Sequence, residues 1–220
     1  WPLETRPGVV MDGPGVEHVV DAARVLGRYA HALAVRCFPR GDTWAEARQD
    51  HILAAFASHC DKPVVNLESS RRHPCQELAD LQTLQERLGE TRGKKLVVTW
   101  AWHPKPLPTA VPVSAALAGV RAGMEVVIAR PEGYDFDPED TATLERIARE
   151  RGATLRTTTD RHEAVRGAHA VYAKSWGALG HYGQPEAEAT LRTPHRAWRV
   201  TPDEWKRHEK YERYVKVAAE

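Results

Sequence analysis

Hydrophobic and polar positions change period repeatedly along the chain, and the changes mark out helices and strands in turn. Val19, Ala22, Ala23 and Leu26 recur at helical spacing after the turn cluster Asp12-Gly13-Pro14-Gly15. They predict a helix from Val16 to Gly27, with the glycine as its stop. Ala32 to Val35 is a short apolar run of the kind a buried strand presents, and it ends in Arg36-Cys37-Phe38-Pro39. Asp42 or Thr43 can cap the next helix, which carries Glu46 in its first turn and Ile52, Leu53, Ala55 and Phe56 later. Pro63 opens a strand from Val64 to Leu67. A helix from Pro74 to Leu88 follows, because proline's fixed φ suits a first helical turn. Leu78, Leu81, Leu84 and Leu88 recur on its apolar face, and Gly89 stops it.

The second half repeats the alternation. Strands are predicted over Leu96 to Trp100, Met124 to Ala129, Ala153 to Arg156 and Ala168 to Ala173, with helices over Ser114 to Ala122 and Thr141 to Arg149. A loop with four prolines between Ala101 and Pro112 separates the first of these strands from its helix. Lys206 to Glu220 is highly charged, with a helical pattern. Strands alternating with helices of this length give an α/β fold with parallel sheets. The expected architecture is two parallel-sheet α/β domains, residues 1–73 and 90–220, joined by an interdomain helix over 74–89. In such sheets ligands gather at the carboxyl ends of the strands, which directs attention to Arg36, Glu68 and the loop holding His73.

Charge and composition then remove whole classes of function. Lys and Arg number 31 against 30 Asp and Glu, for a net charge of +1, without the clustered basic excess a nucleic-acid partner requires. No apolar run approaches the roughly 18 residues of a membrane span, and no charged-then-apolar leader opens the chain. Three cysteines, Cys37, Cys60 and Cys75, make no C-x-x-C pair, so a reduced, cytoplasmic thiol set is expected. The eleven histidines show no metal-binding spacing. Neither G-x-G-x-x-G after a strand nor G-x-x-x-x-G-K-[ST] occurs, so neither a dinucleotide nor a nucleoside triphosphate is expected as cofactor.

The chemistry concentrates between Leu67 and Leu81. His73 and Gln76 stand three apart at a helix start, where side chains can point the same way and backbone N–H groups favour anions; Arg71 and Arg72 add positive charge. Taken singly, a histidine before a proline is more often a helix-start residue than a catalyst, and Cys75 more often a small buried hydrophobe than a nucleophile. Taken together, Leu67-Glu68-Ser69-Ser70-Arg71-Arg72-His73-Pro74-Cys75-Gln76-Glu77-Leu78-Ala79-Asp80-Leu81 closely resembles the carbamoyl-phosphate motif of the transcarbamylases, in which His-Pro-x-Gln-x-Leu-Ala-Asp follows a strand.

The resemblance extends along nearly the whole chain. Val35-Arg36-Cys37-Phe38 matches the place of a strand-end arginine that contacts carbamoyl phosphate in that family. Trp1 to Thr5, Val10-Met11-Asp12-Gly13 and Glu17-His18 resemble the branch acting on N-acylated ornithine, namely the N-acetylornithine and N-succinylornithine carbamoyltransferases, more than ordinary ornithine carbamoyltransferase. So does Thr99-Trp100-Ala101-Trp102-His103-Pro104-Lys105-Pro106-Leu107, and Ala173-Lys174-Ser175-Trp176 resembles the loop that closes on the amino-acid substrate in this branch.

The resemblance implies transfer of a carbamoyl group from carbamoyl phosphate to the δ-amine of an N-acylornithine, as a step of arginine biosynthesis, with no cofactor and no metal. It implies Arg36 and His73 as catalytic residues, with Gln76 completing the carbamoyl-phosphate contacts. Trp1, Glu68, His103, Lys174 and Ser175 are implied as the acylornithine contacts. A tryptophan matching Trp1 reaches into a neighbouring subunit, which implies a homotrimer with shared active sites. Val16 stands where the acetyl enzymes carry a glutamate and the succinyl enzymes a proline, so it is the implied acyl-group selector. Pro108 also looks more like the succinyl enzymes, whereas Ala173-Lys174-Ser175-Trp176-Gly177 looks more like the acetyl enzymes, so the resemblance leaves both substrates open. Two family segments, Ser-Thr-Arg-Thr-Arg and His-Cys-Leu-Pro, are not found within these residues, and the chain is expected to be a fragment lacking both ends. The rival expectations are a non-catalytic transcarbamylase-like binding module and ordinary ornithine carbamoyltransferase.

Overall fold

The computed structural model describes residues 3–6, 8–13, 15, 17–38 and 42–200. The chain divides into two compact units, Trp1–Pro74 and Cys75–Glu220.

In the first unit, β1 (Leu3–Glu4) pairs in parallel with β2 (Glu17–His18), and α1 (Val19–Tyr29) follows. His18 caps α1: its Nδ1 accepts from the Val20 N–H at 3.3 Å. The helix therefore starts later than its apolar pattern suggests, and it runs past Gly27. A Cβ at Gly27 would lie 3.0 Å from both Cys60 Sγ and Asp61 Oδ1, so this glycine answers a close approach within the helix and is no stop signal. Next comes β3 (Leu33–Arg36). The single helix expected after Asp42 is divided into α2 (Trp44–Ala47), capped by Thr43 Oγ1, and α3 (His51–His59). The break falls at Asp50, which has left-handed backbone with φ of 48°. β4 (Val64–Glu68) lies parallel to β3. Val19, Ala23 and Phe56 form the buried centre, with Leu26, Leu33, Val35, Ile52 and Val64 packed on it.

The second unit is built on a four-stranded parallel sheet of order β7-β6-β5-β8. α4 (Pro74–Leu88) spans the expected residues and ends at Gly89, where φ is 68°. Its buried residues are Asp80 and Leu84, whereas Leu78 is 66% exposed, so the leucine pattern misplaced the inward line. β5 (Lys95–Trp100) is buried at every position, as a central parallel strand covered on both faces must be. α5 (Ala110–Arg121) starts before the expected residue and takes Pro112 into its first turn, where a missing N–H costs nothing. Every residue from Ala110 to Val120 is buried. β6 (Glu125–Ala129), α6 (Pro138–Arg151) and β7 (Thr154–Thr158) continue the alternation. Asp137 caps α6 through the Glu139 N–H at 2.9 Å. α7 (Arg161–Val165), β8 (Ala170–Lys174) and α8 (Pro185–Arg192) complete the unit, and neither α7 nor α8 was legible in the apolar pattern. The charged stretch from Lys206 to Glu220 lies outside the described residues. Among the described residues no helix is long and apolar enough to cross a membrane.

Candidate active site

Two strand ends organise the first unit. Leu33, Ala34 and Val35 pair in register with Val64, Val65 and Asn66, but Arg36 then pairs with Glu68, so the register shifts by one residue at the last step. The shift sets an arginine directly beside a carboxylate. Arg36 Nε and Nη2 both lie 2.9 Å from Glu68 Oε2. The Glu68 side chain is only 9% exposed and that of Arg36 is 63% exposed, so a buried acid holds the base of a cation that reaches into solvent. The guanidinium also lies 5.5 Å over the Phe38 ring, a second constraint on its direction.

The loop from Ser69 to His73 is folded by its own backbone. The Ser69 N–H donates to the Arg72 carbonyl at 2.9 Å, and Asn66 Nδ2 donates to Ser69 Oγ at 3.1 Å. The Ser70 N–H donates to Asp50 Oδ1 at 2.8 Å, which gives the left-handed residue between α2 and α3 its purpose. His73, half-buried, is thereby delivered immediately ahead of Pro74.

In the second unit, Gln76 sits in the first turn of α4 and donates from Nε2 to Asp80 Oδ1 at 2.8 Å. Asp80 is 5% exposed. Burial pushes its carboxyl up to about 6, against the opposing effect of hydrogen bonds from Gln76 and from Tyr172 of β8. The neighbouring Tyr172 hydroxyl is pushed up as well, first by burial and then by the Asp80 charge. Asp80, Leu84, Leu96 and Tyr172 line a cavity of about 10 Å³, the space of one water.

The chain leaves β5 for β6 on one side and returns to β8 on the other, so the crevice beyond β5 and β8 is a topological switch point, where open α/β sheets bind ligands. Trp100 and Lys174, the last residues of these strands, are paired in register. The loops that follow are joined to each other: the Ala101 N–H donates to the Lys174 carbonyl at 3.0 Å and the Gly177 N–H to the Leu107 carbonyl at 2.8 Å. Gly177 permits the approach, since a Cβ there would meet Pro106 Cβ at 3.0 Å. His103 Nδ1 lies 3.0 Å from both the backbone nitrogen and the carbonyl oxygen of Lys105, so the ring is held by the Lys105 backbone. His103, Lys174 and Ser175 are thus brought together on adjoining loops.

Beneath those loops lies a residue that sequence reasoning did not single out. Arg192, the last residue of α8, is 2% exposed. Its Nε donates to Glu188 Oε2 at 2.9 Å, Nη1 to Ser175 Oγ at 2.8 Å and to the His103 carbonyl at 3.2 Å, and Nη2 to the Trp176 carbonyl at 2.9 Å and to Glu188 Oε1. The guanidinium also lies 5.2 Å over the Trp100 ring and 5.5 Å over the Tyr134 ring. The only trace in the sequence was a Glu and an Arg four apart in α8, a spacing that usually marks a solvated pair.

The structure therefore joins Arg36 with Glu68, Gln76 with Asp80, and His103 with Ser175 through Arg192. Trp1 and Val16 lie outside the described residues. Among the described residues no group of three or more His, Cys, Asp or Glu could hold a metal ion.

Comparison with known proteins also divides the chain in two, but near the end of α4 and not at its start. Residues 5–86 match the family described as aspartate/ornithine carbamoyltransferase, carbamoyl-P binding domain, and residues 96–213 match aspartate/ornithine carbamoyltransferase, Asp/Orn binding domain. The N-acetylornithine carbamoyltransferase of Xanthomonas campestris pv. campestris is 44% identical over 195 residues, covering 87% of this chain and 57% of that protein. The N-succinylornithine carbamoyltransferase of Bacteroides fragilis is 39% identical over 186 residues, covering 84% of this chain and 55% of that protein. The chain thus spans little more than half the length of these curated relatives. A crystal structure of a glutamate-to-valine mutant of N-acetyl-L-ornithine transcarbamylase, complexed with carbamyl phosphate and N-succinyl-L-norvaline, superposes with a TM-score of 0.94 at 39% identity, over 100% of this chain and 67% of that one.

Proposed function

The chain belongs to the aspartate/ornithine carbamoyltransferase family, and from that premise we propose that it serves carbamoyl transfer from carbamoyl phosphate to the δ-amine of an N-acylornithine. The products are N-acylcitrulline and phosphate, as a step of arginine biosynthesis. The observation that carries the reading is the joining of the His103 and Lys174–Ser175 loops at the β5–β8 switch point, because both loops resemble those of the acylornithine branch.

In the proposed reaction the amine lone pair attacks the carbamoyl carbon and negative charge grows on the carbonyl oxygen. Arg36 and His73 donate hydrogen bonds to that oxygen, stabilisation of a kind that often dominates such steps. Gln76 holds the carbamoyl nitrogen and fixes its orientation. The C–O bond to phosphate then breaks, phosphate leaves with the electron pair, and the attacking nitrogen gives up a proton. Trp1, Glu68, His103, Lys174 and Ser175 contact the acylornithine. Residues 1–73 serve carbamoyl phosphate, residues 90–220 serve the amino acid, and the helix over 74–89 joins them. A homotrimer with shared sites in the cytoplasm, working without metal or cofactor, completes the reading.

Val16 bears on the acyl group. A glutamate facing the succinyl carboxylate would set two like charges together, at a cost of about 1 kcal/mol at 4 Å in water and more when partly buried. Valine removes that charge. N-acetyl-L-ornithine transcarbamylase with one glutamate replaced by alanine, valine, serine or proline is in each case complexed with N-succinyl-L-norvaline, which supports a protein without that acid accepting the succinyl substrate as well as the acetyl one. The test is to supply the full-length protein with carbamoyl phosphate and, in separate reactions, acetylornithine, succinylornithine and ornithine, and to measure the citrulline products. Turnover of ornithine alone overturns the acyl reading, and binding of both substrates without turnover assigns a non-catalytic role.

A further inference from the structure

All five N–H groups of Arg192 are committed: three go to the two loops at the ends of β5 and β8, and two to Glu188. Such a forked set of contacts is something a lysine cannot reproduce, because an ammonium offers three donors from one point. Two of the contacts fall on residues of the acylornithine side. Ser175 Oγ accepts from Nη1, and a hydroxyl that accepts there must aim its own proton elsewhere. The His103 carbonyl accepts from the same nitrogen, which fixes the height of that loop above the sheet. Glu188, itself 2% exposed, holds the guanidinium from the opposite side and balances its charge.

We propose that Arg192 is a positioning residue for the amino-acid substrate: it fixes the His103 and Ser175 loops at the β5–β8 crevice and makes Ser175 a hydrogen-bond donor to a substrate oxygen. The inference deepens the carbamoyl-transfer reading and rests on it for the identity of the substrate. Arg192 itself touches neither reactant. Its effect passes through Ser175 and the His103 backbone, so it acts on acylornithine binding and leaves carbamoyl phosphate binding alone.

The experiment uses the full-length protein with Arg192→Lys, Ser175→Ala and the double variant. The expected result for Arg192→Lys is a KM for acylornithine raised about 10- to 100-fold, the equivalent of losing one charge-assisted hydrogen bond, with KM for carbamoyl phosphate within about twofold. Ser175→Ala raises the same KM, and the double variant is little worse than the poorer single one, because both remove the same contact. In parallel, amide hydrogen exchange is followed over residues 101–109 and 174–178. Arg192→Lys speeds exchange in both loops and leaves β6 as protected as in the parent. Equal rises in both KM values, or single losses that add in full, reduce Arg192 to a general stabiliser and overturn the proposal. So does a folded Arg192→Lys protein with unchanged acylornithine KM or unchanged exchange in both loops. If the parent protein carbamoylates no acylornithine, the functional reading fails, and the exchange data then decide the loop tether by themselves.

Discussion

Arg36 and Glu68 are the last residues of neighbouring parallel strands, and two nitrogens of the guanidinium share one carboxylate oxygen at 2.9 Å. The acid is buried and the cation exposed, so the pair aims Arg36 more than it binds the strands together.

Replacing Glu68 by alanine therefore separates aim from stability. Half-exposed pairs contribute little, and urea unfolding is expected to shift by about 1 kcal/mol. Turnover is expected to fall about 100-fold, the scale of a misplaced catalytic group. Because the same carboxylate is proposed to contact acylornithine, KM should rise for both substrates. A rise for acylornithine alone would show that the pairing with Arg36 does not matter to carbamoyl phosphate.

His73 and Cys75 flank Pro74 and are expected to respond in opposite ways. His73→Ala lowers turnover by roughly 100-fold or more, the scale for removing one oxyanion donor. Cys75→Ser changes it little. Steady-state kinetics in which Cys75 matters and His73 does not would reverse the assignment.

Asp80 gives a signed pH dependence. Its carboxyl is raised in the folded protein from 3.8 to about 6, chiefly by burial, so between those values the folded state holds more protons than the unfolded state. Stability contributed by this group is full below pH 3.8, falls as pH rises, and is lost above about 6; the total is about 3 kcal/mol. Denaturant melts of the parent and of Asp80→Asn across pH 4 to 7.5 measure it. The asparagine variant should gain on the parent from pH 4 to about 6 and then keep a constant difference up to pH 7.5. A constant difference at every pH would show that Asp80 keeps an ordinary carboxyl.

Gly119 sets two effects against each other. Alanine is the better helix former by about 1 kcal/mol. A Cβ at Gly119, however, would lie 2.7 Å from Leu96 Cδ2 and Val126 Cγ2, both on fully packed strands. Overpacking of that kind costs about 1–3 kcal/mol, so Gly119→Ala is expected to lower the unfolding free energy. A thermal melt showing stabilisation would mean that α5 can move away from the sheet.

Local signals were legible where the chain obeys them locally. Pro74 and Gly89 mark the two ends of α4, and the strand ends at Arg36, Glu68 and Lys174 lie within a residue of their predicted places. The misreadings have long-range causes. Gly27 continues α1 because Cys60 and Asp61 crowd it, and Asp50 breaks one helix into two because its carboxylate receives the distant Ser70 N–H. Leu78 is exposed on α4 while Asp80 is buried, since Gln76 and Tyr172 satisfy the acid. Arg192 was invisible for the same reason: its loop partners are Ser175, 17 residues away, and His103, 89 residues away.

The shifted pairing at the end of β3 has one more implication, for length and not for chemistry. Opposite Arg36 stands Glu68, where an unbroken register would have placed Leu67, so the strand carries one residue more than its partner needs. That surplus works as a spacer. Deleting Leu67 would set the acid opposite Arg36 in an unbroken register but turn its side chain to the alternate face of the strand, while swapping side chains at fixed length would leave the backbone alignment intact. Insertions and deletions at Leu67 are thus a separate axis of variation from substitutions, and the conspicuous motif after β4 depends on that count as much as on its letters.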